Sequence, residues 1–171
     1  DDEYRELLST AKKQNIPLIL ISCGNQGSHV INQAIEQCLL SLKKMTCIIH
    51  ITGNNKYEDF EKLQKLQDDH YLVKKWIDKE YGYILSKVDL VVSRAGINTL
   101  TELAYLGKPA LIIPIPYLYQ DEQNINAKYF EKLGLVKILL QQNLSGKSLL
   151  ENIKNMLKDI NQLRVNAKNA K

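Results

Sequence analysis

Val88-Asp89-Leu90-Val91-Val92 leads directly into Ser93-Arg94-Ala95-Gly96-Ile97-Asn98-Thr99-Leu100-Thr101-Glu102. The first five residues are mostly apolar β-formers. After Gly96 the period changes: Leu100, Leu103, Ala104 and Leu106 recur at helical spacing until Gly107-Lys108-Pro109 ends the pattern. The segment therefore reads as strand, tight glycine turn, helix. Such a turn leaves the first backbone N–H groups of the helix unpaired and aimed at one spot. Their partial positive charge suits a phosphate, and Thr99 adds a hydroxyl donor. Glu102 falls one turn along, on the face that carries Asn98. A carboxylate there suits the two hydroxyls of a ribose, as acidic residues do in nucleotide sites. The same residues also fit an ordinary βα turn in which Asn98 or Thr99 caps the helix and Glu102 is solvated.

The same alternation extends in both directions. Residues 1–14 are polar with Tyr4, Leu7 and Leu8 at helical spacing, a short lead-in helix. The run from Pro17 to Ser22 is continuously apolar, the pattern of a strand covered on both faces. A glycine turn, Cys23-Gly24-Asn25-Gln26-Gly27-Ser28, precedes a helix marked by Val30, Ile31, Ala34, Ile35, Cys38, Leu39 and Leu42. Met45 to Ile51 reads as a second strand, closed by Thr52-Gly53, and Tyr57, Phe60, Leu63 and Leu66 mark a helix. His70 to Val73 is a third strand, and a short helix lies within 77–86. Residues 88–92 are the fourth strand and Pro109 to Ile113 the fifth. Pro114 and Pro116 hold the next loop out of regular structure. A helix from about Asp121 to Lys132, a sixth strand from Leu135 to Leu140 and a helix capped by Ser145 follow. The last dozen residues are polar and fit either a helix or a frayed end. Strands alternating with helices imply βαβ units with right-handed crossovers. The fold class is α/β: one domain over residues 1–171, a Rossmann-like parallel sheet of about six strands with helices on both faces. Ligands of such sheets sit beyond the C-terminal ends of the strands.

The 171 residues suffice for one substantial core, and 44% hydrophobic content is ordinary for a globular chain. The net charge of +4 is mild, with lysines spread along the sequence. Nucleic-acid binding would need a clustered basic face, so no nucleic-acid partner is expected. Cys23, Cys38 and Cys47 are an odd number without a C-x-x-C pair, which fits free thiols in a reducing compartment. No apolar run approaches the ~18 residues of a membrane span. The chain begins at Asp1 without Met, which reads as a processed or expressed piece of a longer protein.

Each distinctive polar cluster falls at a strand's C-terminal end: residues 24–28, 50–53, 93–99 and 117–126. Gly24 and Gly27 could bring backbone N–H groups to a phosphate or sugar, or simply make a βα turn. The G-x-G-x-x-G spacing of dinucleotide folds is absent, so NAD is not indicated. His50 could donate to a ligand or act as an acid or base; a lone histidine is more often a satisfied loop residue. No second His or Cys stands at metal-ligand spacing, so neither a metal nor another cofactor is expected. Asp68-Asp69 reads as a solvated turn at the opposite edge. The amides among Gln120, Gln123, Asn124 and Asn126 could read sugar hydroxyls or serve the start of a helix. Trp76-Ile77 fits either core or a wall for a flat base.

Taken in order, these motifs resemble the C-terminal, donor-binding domain of the MurG-like family, the peptidoglycan transferases that add N-acetylglucosamine to a lipid-linked muramyl-pentapeptide. The family's G-G-S-Q-G-A turn matches residues 23–28, and its H-x-T-G matches His50-Ile51-Thr52-Gly53. Its F-I pair matches Trp76-Ile77, and its S-G-A-x-T-x-x-E is similar to residues 95–102. Its D-x-Q-x-x-N-A matches Asp121 to Ala127. The matches run from about Pro17 to Gly134.

The resemblance implies the C-terminal half of a GT-B glycosyltransferase with UDP-N-acetylglucosamine as donor. It puts uracil against the backbone at Ile77 and the ribose on Glu102. The diphosphate falls at Gly96, Ile97, Asn98 and Thr99, and the sugar at Gln123. Gly24, Asn25, Gln26 and Gly27 line the cleft, and His50 supports it. It assigns no catalytic residue to this chain. Asn25 stands where the family has Ser, and Cys23 where it has Gly. The N-terminal acceptor domain, with its G-G-x-G-G-H turn, is absent. The implied partner is an undecaprenyl-linked acceptor held by that domain or by another chain, with peripheral contact at the cytoplasmic face of a bacterial membrane. Alternatives are a subunit of a two-chain polysaccharide or lipid-linked sugar transferase, and a non-catalytic UDP-sugar-binding module.

Overall fold

A computed structural model of the chain describes residues 2–24 and 26–169. Six parallel strands form one sheet: β1 (Leu18–Ser22), β2 (Cys47–Ile51), β3 (Tyr71–Lys74), β4 (Leu90–Ser93), β5 (Ala110–Ile112) and β6 (Val136–Ile138). Their order is β3-β2-β1-β4-β5-β6, with every neighbouring pair parallel. The chain thus winds outward from β1 in one direction, then returns to β4 and winds outward in the other. The two turns that follow β1 and β4 diverge at this reversal and leave a crevice between them.

Among the described residues, eight α-helices surround the sheet: α1 (Asp2–Gln14), α2 (His29–Lys43), α3 (Asp59–Gln64), α4 (Tyr81–Lys87), α5 (Ile97–Leu106), α6 (Glu122–Lys132), α7 (Gly146–Lys158) and α8 (Ile160–Asn169). Alternate residues of each strand point to opposite faces. Leu18, Leu20, Cys47, Ile49 and Val91 therefore join α1, α4, α5 and α6 in one core. Ile19, Ile21, Ile48, Leu90 and Val92 join α2, α3 and α7 in the other. α8 crosses between them, with Leu163 in the second core and Ala167 in the first. Each fully buried strand side chain contributes about 1.5–3 kcal/mol, which is why a sheet covered on both faces tolerates such short strands.

The local sequence explains the boundaries. The second strand was expected from Met45; it begins at Cys47 because Met45 and Thr46 still bond their N–H groups to Leu42 at the end of α2. The helix expected from Tyr57 starts at Asp59, since Glu58 has φ 57° and breaks the helical path. β6 stops at Ile138, short of the expected Leu140, because β5 ends at Ile112; the Leu139 N–H makes the last bond, to the Ile112 carbonyl. α5 ends at Gly107, whose φ of 62° lets its N–H and that of Lys108 bond back to Ala104 and Leu103. α7 begins with a reciprocal Ser145–Ser148 capping box. The terminal helix α8 is formed through Asn169.

The expectation of a dispersed positive charge is corrected by the fold. Lys12, Lys87, Lys108, Arg164 and Lys168 meet around Asp89 at the N-terminal edge of the sheet, lining two adjoining cavities. They are far apart in sequence, and only the packing of α1, α4 and α8 brings them together. Asp68 sits at the same edge, paired with Lys43.

Two glycine turns touch backbone to backbone at the opposite, C-terminal edge. A Cβ on Gly27 (φ +68°) would lie 1.7 Å from the Thr52 carbonyl oxygen, and one on Gly53 (φ +76°) would lie 2.2 Å from the Gly27 nitrogen. Gly24 shares the left-handed backbone, yet nothing lies within 4 Å of its Cβ position. Gly27→Ala should therefore cost at least about 4 kcal/mol, through clash with backbone that has nowhere to move. Gly24→Ala should cost only about 1–2 kcal/mol, the left-handed penalty alone. Urea unfolding of the two variants checks this difference; equal losses would mean the turns do not touch.

Candidate functional site

The crevice is built from three loops at the C-terminal ends of β1, β4 and β5. The loop after β4 presents α5. Gly96 is its N-cap, and no side chain caps the helix. The alternative reading, in which Asn98 or Thr99 caps the helix, is thus not met. The N–H groups of Ile97, Asn98 and Thr99 remain available to a ligand. A Cβ at Gly96 would meet only Thr99 Oγ1, 3.9 Å away, so the helix start is open to close approach. Asn98 and Glu102 are exposed on one face of α5.

Arg94 and Gln123 tie the three loops together. Arg94 Nη2 donates to Ser28 Oγ at 2.7 Å, and Nη1 donates to the carbonyls of Ile113 at 3.0 Å and Pro114 at 3.3 Å. Among the described residues no carboxylate pairs with Arg94, and its buried Nε lacks a partner. Burial holds the guanidinium below its usual range, opposed by Cys23. The crevice therefore has an unneutralised cation behind it, which favours an anionic ligand. Gln123 Oε1 accepts from the N–H of Ala95 at 3.2 Å and of Ile115 at 2.9 Å. The Gln123 carbonyl is committed to the scaffold, and only its Nε2 can face a sugar.

On the β1 side, the Gly27 N–H donates to the Gly24 carbonyl at 3.1 Å and closes the first glycine turn. Gln26 is exposed at its tip. Asn25 lies outside the described residues. Cys23 is buried beside Arg94, and burial pushes its thiol up to about 12, so it stays neutral at the floor of the crevice. Tyr81, at the start of α4, lies between the two sides. Burial raises its phenol, a Ser22 hydrogen bond opposes this, and Glu102 and Cys23 add to the rise. Ile77 buries its side chain in the core, while Trp76 is half exposed.

His50 does not reach the crevice. It is fully buried, with Nδ1 2.8 Å from the Tyr71 hydroxyl and Nε2 3.0 Å from Asn32 Oδ1. The Asn32 Nδ2 group donates to the Thr52 carbonyl at 3.1 Å and to Asp59 Oδ2 at 2.7 Å. Both are acceptors, so Asn32 Oδ1 must face a donor, and His50 carries its proton on Nε2. Tyr71 then donates to Nδ1. With both nitrogens satisfied, His50 cannot be the ligand donor, acid or base that an isolated histidine at a strand end suggests. Its role is to hold structure.

The sequence reading missed Arg94 as a tie, together with Asn32, Asp59, Tyr71 and Tyr81. One signal was present: Asn32 interrupts the apolar face of α2. Among the described residues no group of three or more His, Cys, Asp or Glu is placed to hold a metal. None of the described helices is long and apolar enough to cross a membrane.

The model for the glycosyltransferase family 28 C-terminal domain matches residues 18–171. A curated relative from Crocosphaera subtropica is 35% identical over 151 residues, covering 88% of this chain and 42% of its own. One from Bacillus cytotoxicus is 37% identical over 153 residues, covering 88% and 41%. Both are named UDP-N-acetylglucosamine–N-acetylmuramyl-(pentapeptide) pyrophosphoryl-undecaprenol N-acetylglucosamine transferase. The crystal structure of Acinetobacter baumannii MurG superposes with a TM-score of 0.76 at 26% identity, covering 98% of this chain and 48% of that one. The chain thus spans less than half the length of these relatives, and its architecture is that of the C-terminal half of a GT-B glycosyltransferase.

Burial lowers the His50 pKa from 6.5 to about 3, with Asp59 opposing. Between those values the unfolded chain binds more protons than the folded one. Stability from this residue therefore rises with pH across that window and is lost on acidification, by up to about 1.4 kcal/mol per pH unit. Denaturant unfolding between about pH 4 and pH 7 should show this slope, and His50→Gln should flatten it. An undiminished slope in the variant would assign the acid sensitivity elsewhere.

Proposed function

This chain belongs to the glycosyltransferase family 28 C-terminal domain family, and on that premise we propose that it is the donor-binding half of an inverting N-acetylglucosamine transferase. The donor is UDP-N-acetylglucosamine, and the acceptor is a lipid-linked precursor of peptidoglycan. The observation that carries the reading is the uncapped start of α5 at the sheet's reversal point, with Glu102 one turn along the same helix. The names of the similar transferases support the sugar and the acceptor.

In this reading the amides of Ile97, Asn98 and Thr99, with the Thr99 hydroxyl, hold the diphosphate against the positive end of α5. Glu102 accepts from the two ribose hydroxyls. The backbone at Ile77 reads the uracil edge, and Gln123 Nε2 donates to the sugar. Gly24, Gln26 and Gly27 line the facing side. The acceptor hydroxyl attacks the anomeric carbon from the face opposite UDP; the C–O bond to the diphosphate breaks, and its electron pair leaves on UDP. The helix start and the Arg94 cation stabilise that developing charge without requiring a metal ion. The base that takes the acceptor proton comes from the acceptor half, supplied by an upstream domain or a partner chain. That half also makes the peripheral contact with the cytoplasmic face of the membrane. On its own, this chain binds donor without turning it over.

Calorimetric titration with UDP-N-acetylglucosamine, UDP-galactose, UDP and NAD, with and without Mg²⁺, tests the reading. Binding of UDP and UDP-N-acetylglucosamine without metal, and none of NAD, is expected. Glu102→Ala should weaken UDP binding by ~1.5–3 kcal/mol, the cost of losing hydrogen bonds to a charged acceptor. Unchanged affinity would remove Glu102 from the site.

A further inference from the structure

We propose that Asn32 and Asp59, which line no part of the crevice, are positioning residues for the donor: they set the first glycine turn through the Thr52 carbonyl. The inference rests on the reading that this turn faces the donor.

The four polar groups concerned are all inside the protein. Asn32 is 1% exposed, His50 and Thr52 0%, and Asp59 4%. Polar groups at such depth are tolerated only when their partners are fixed and complete. Here the chain of donors is continuous. Tyr71 donates to His50, and His50 donates to Asn32. Asn32 in turn donates to Asp59 and to Thr52. Asp59 is held from the other side by Asn55 Nδ2 at 3.0 Å and by His29 Nδ1 at 2.8 Å. The His29 ring stacks on Tyr57 with centroids 3.8 Å apart and planes 12° from parallel. Every member has one orientation in which its partners are satisfied, so the network has no slack.

The Thr52 carbonyl is where this network meets the crevice. It is the atom that a Cβ on Gly27 would strike at 1.7 Å. The backbone N–H of Asn32 donates to the Ser28 carbonyl at 2.9 Å, an ordinary first-turn bond of α2, so the side chain that holds the Thr52 carbonyl is rooted in the helix turn that follows the glycine loop. If Asn32 shifts, the turn closed by Gly27 and Gly24 must move with it. Apolar residues would fill the same space at lower desolvation cost, but they would leave the carbonyl unheld and the turn free to rock.

The test uses Asn32→Ala and the milder Asp59→Asn, with Ile153→Val in α7 as a control that loosens the core away from the crevice. Amide hydrogen exchange, thermal unfolding and UDP titration are read on each. Both network variants should speed exchange at Gly27 at least tenfold more than at amides of α7. They should also weaken UDP binding at least fivefold. Ile153→Val should lower the melting temperature with UDP affinity unchanged. A lowered melting temperature in the network variants, with turn exchange and UDP affinity as in the wild type, would overturn the proposal, as would failure of both variants to fold, which would mark a purely structural role. If the wild-type chain itself binds no UDP, the donor reading fails, and exchange at Gly27 alone decides whether the network positions the turn.

Discussion

Two peptide backbones touch where Gly27 meets Thr52 and Gly53, and no side chain larger than hydrogen fits at either glycine. That contact fixes the loop after β1 against the loop after β2. Because β1 is the strand next to the reversal on that side, the position of its loop sets one wall of the crevice. The buried Asn32–His50–Asp59 network holds the contact from below, and α2 is anchored by the same residues. A precise wall is thus obtained from loops, which are otherwise the most mobile parts of an α/β fold.

The other wall is held by different means. Arg94 reaches from the end of β4 to Ser28 on one side and to Ile113 and Pro114 on the other. Gln123 spends its carbonyl on the backbones of Ala95 and Ile115. A guanidinium and an amide, each bonded to more than one loop, replace the regular pairing that ends with the strands. The side chains that organise the site are mostly unable to touch a ligand with their bonded atoms, and the atoms left over are backbone N–H groups, an exposed carboxylate and an amide NH₂. That division suits recognition of a diphosphate and a sugar, where charge and hydroxyls must be met by donors held still before the ligand arrives.

Charge is distributed to match. The C-terminal edge keeps the half-buried Arg94 cation and a helix start. At the opposite edge, Lys12, Lys87, Lys108, Arg164 and Lys168 surround Asp89, which accepts from Arg164 and from the Leu18 N–H. Lys108 donates to the carbonyls of Ser86 and Val88 and so closes the end of α4. Part of the positive charge of this chain is therefore structural.

Hydrophobic periodicity sufficed for the six strands, the helices before α8 and their alternation, because a strand covered on both faces and a helix covered on one leave different period marks in the chain. The motif at residues 93–102 and the glycines at 24, 27 and 53 were legible for the same reason: special backbone geometry demands special residues. Boundaries were less legible, since Met45 and Tyr57 are themselves apolar and extend the patterns that follow them, and hydrogen bonds and a left-handed Glu58 decided where the elements begin. What a polar side chain does was legible only where its partner is local, as for the Ser145 cap of α7. His50 looked like a site residue and is a buried strut; Gln123 looked like a sugar reader and first serves two backbone N–H groups. Arg94, Asn32 and Asp59 drew little notice in one dimension, because their partners lie tens of residues away. Sequence determines periods and permitted backbone shapes, which are local; hydrogen-bond partners and the gathering of charge are set by long-range packing, and only the tertiary structure decides them.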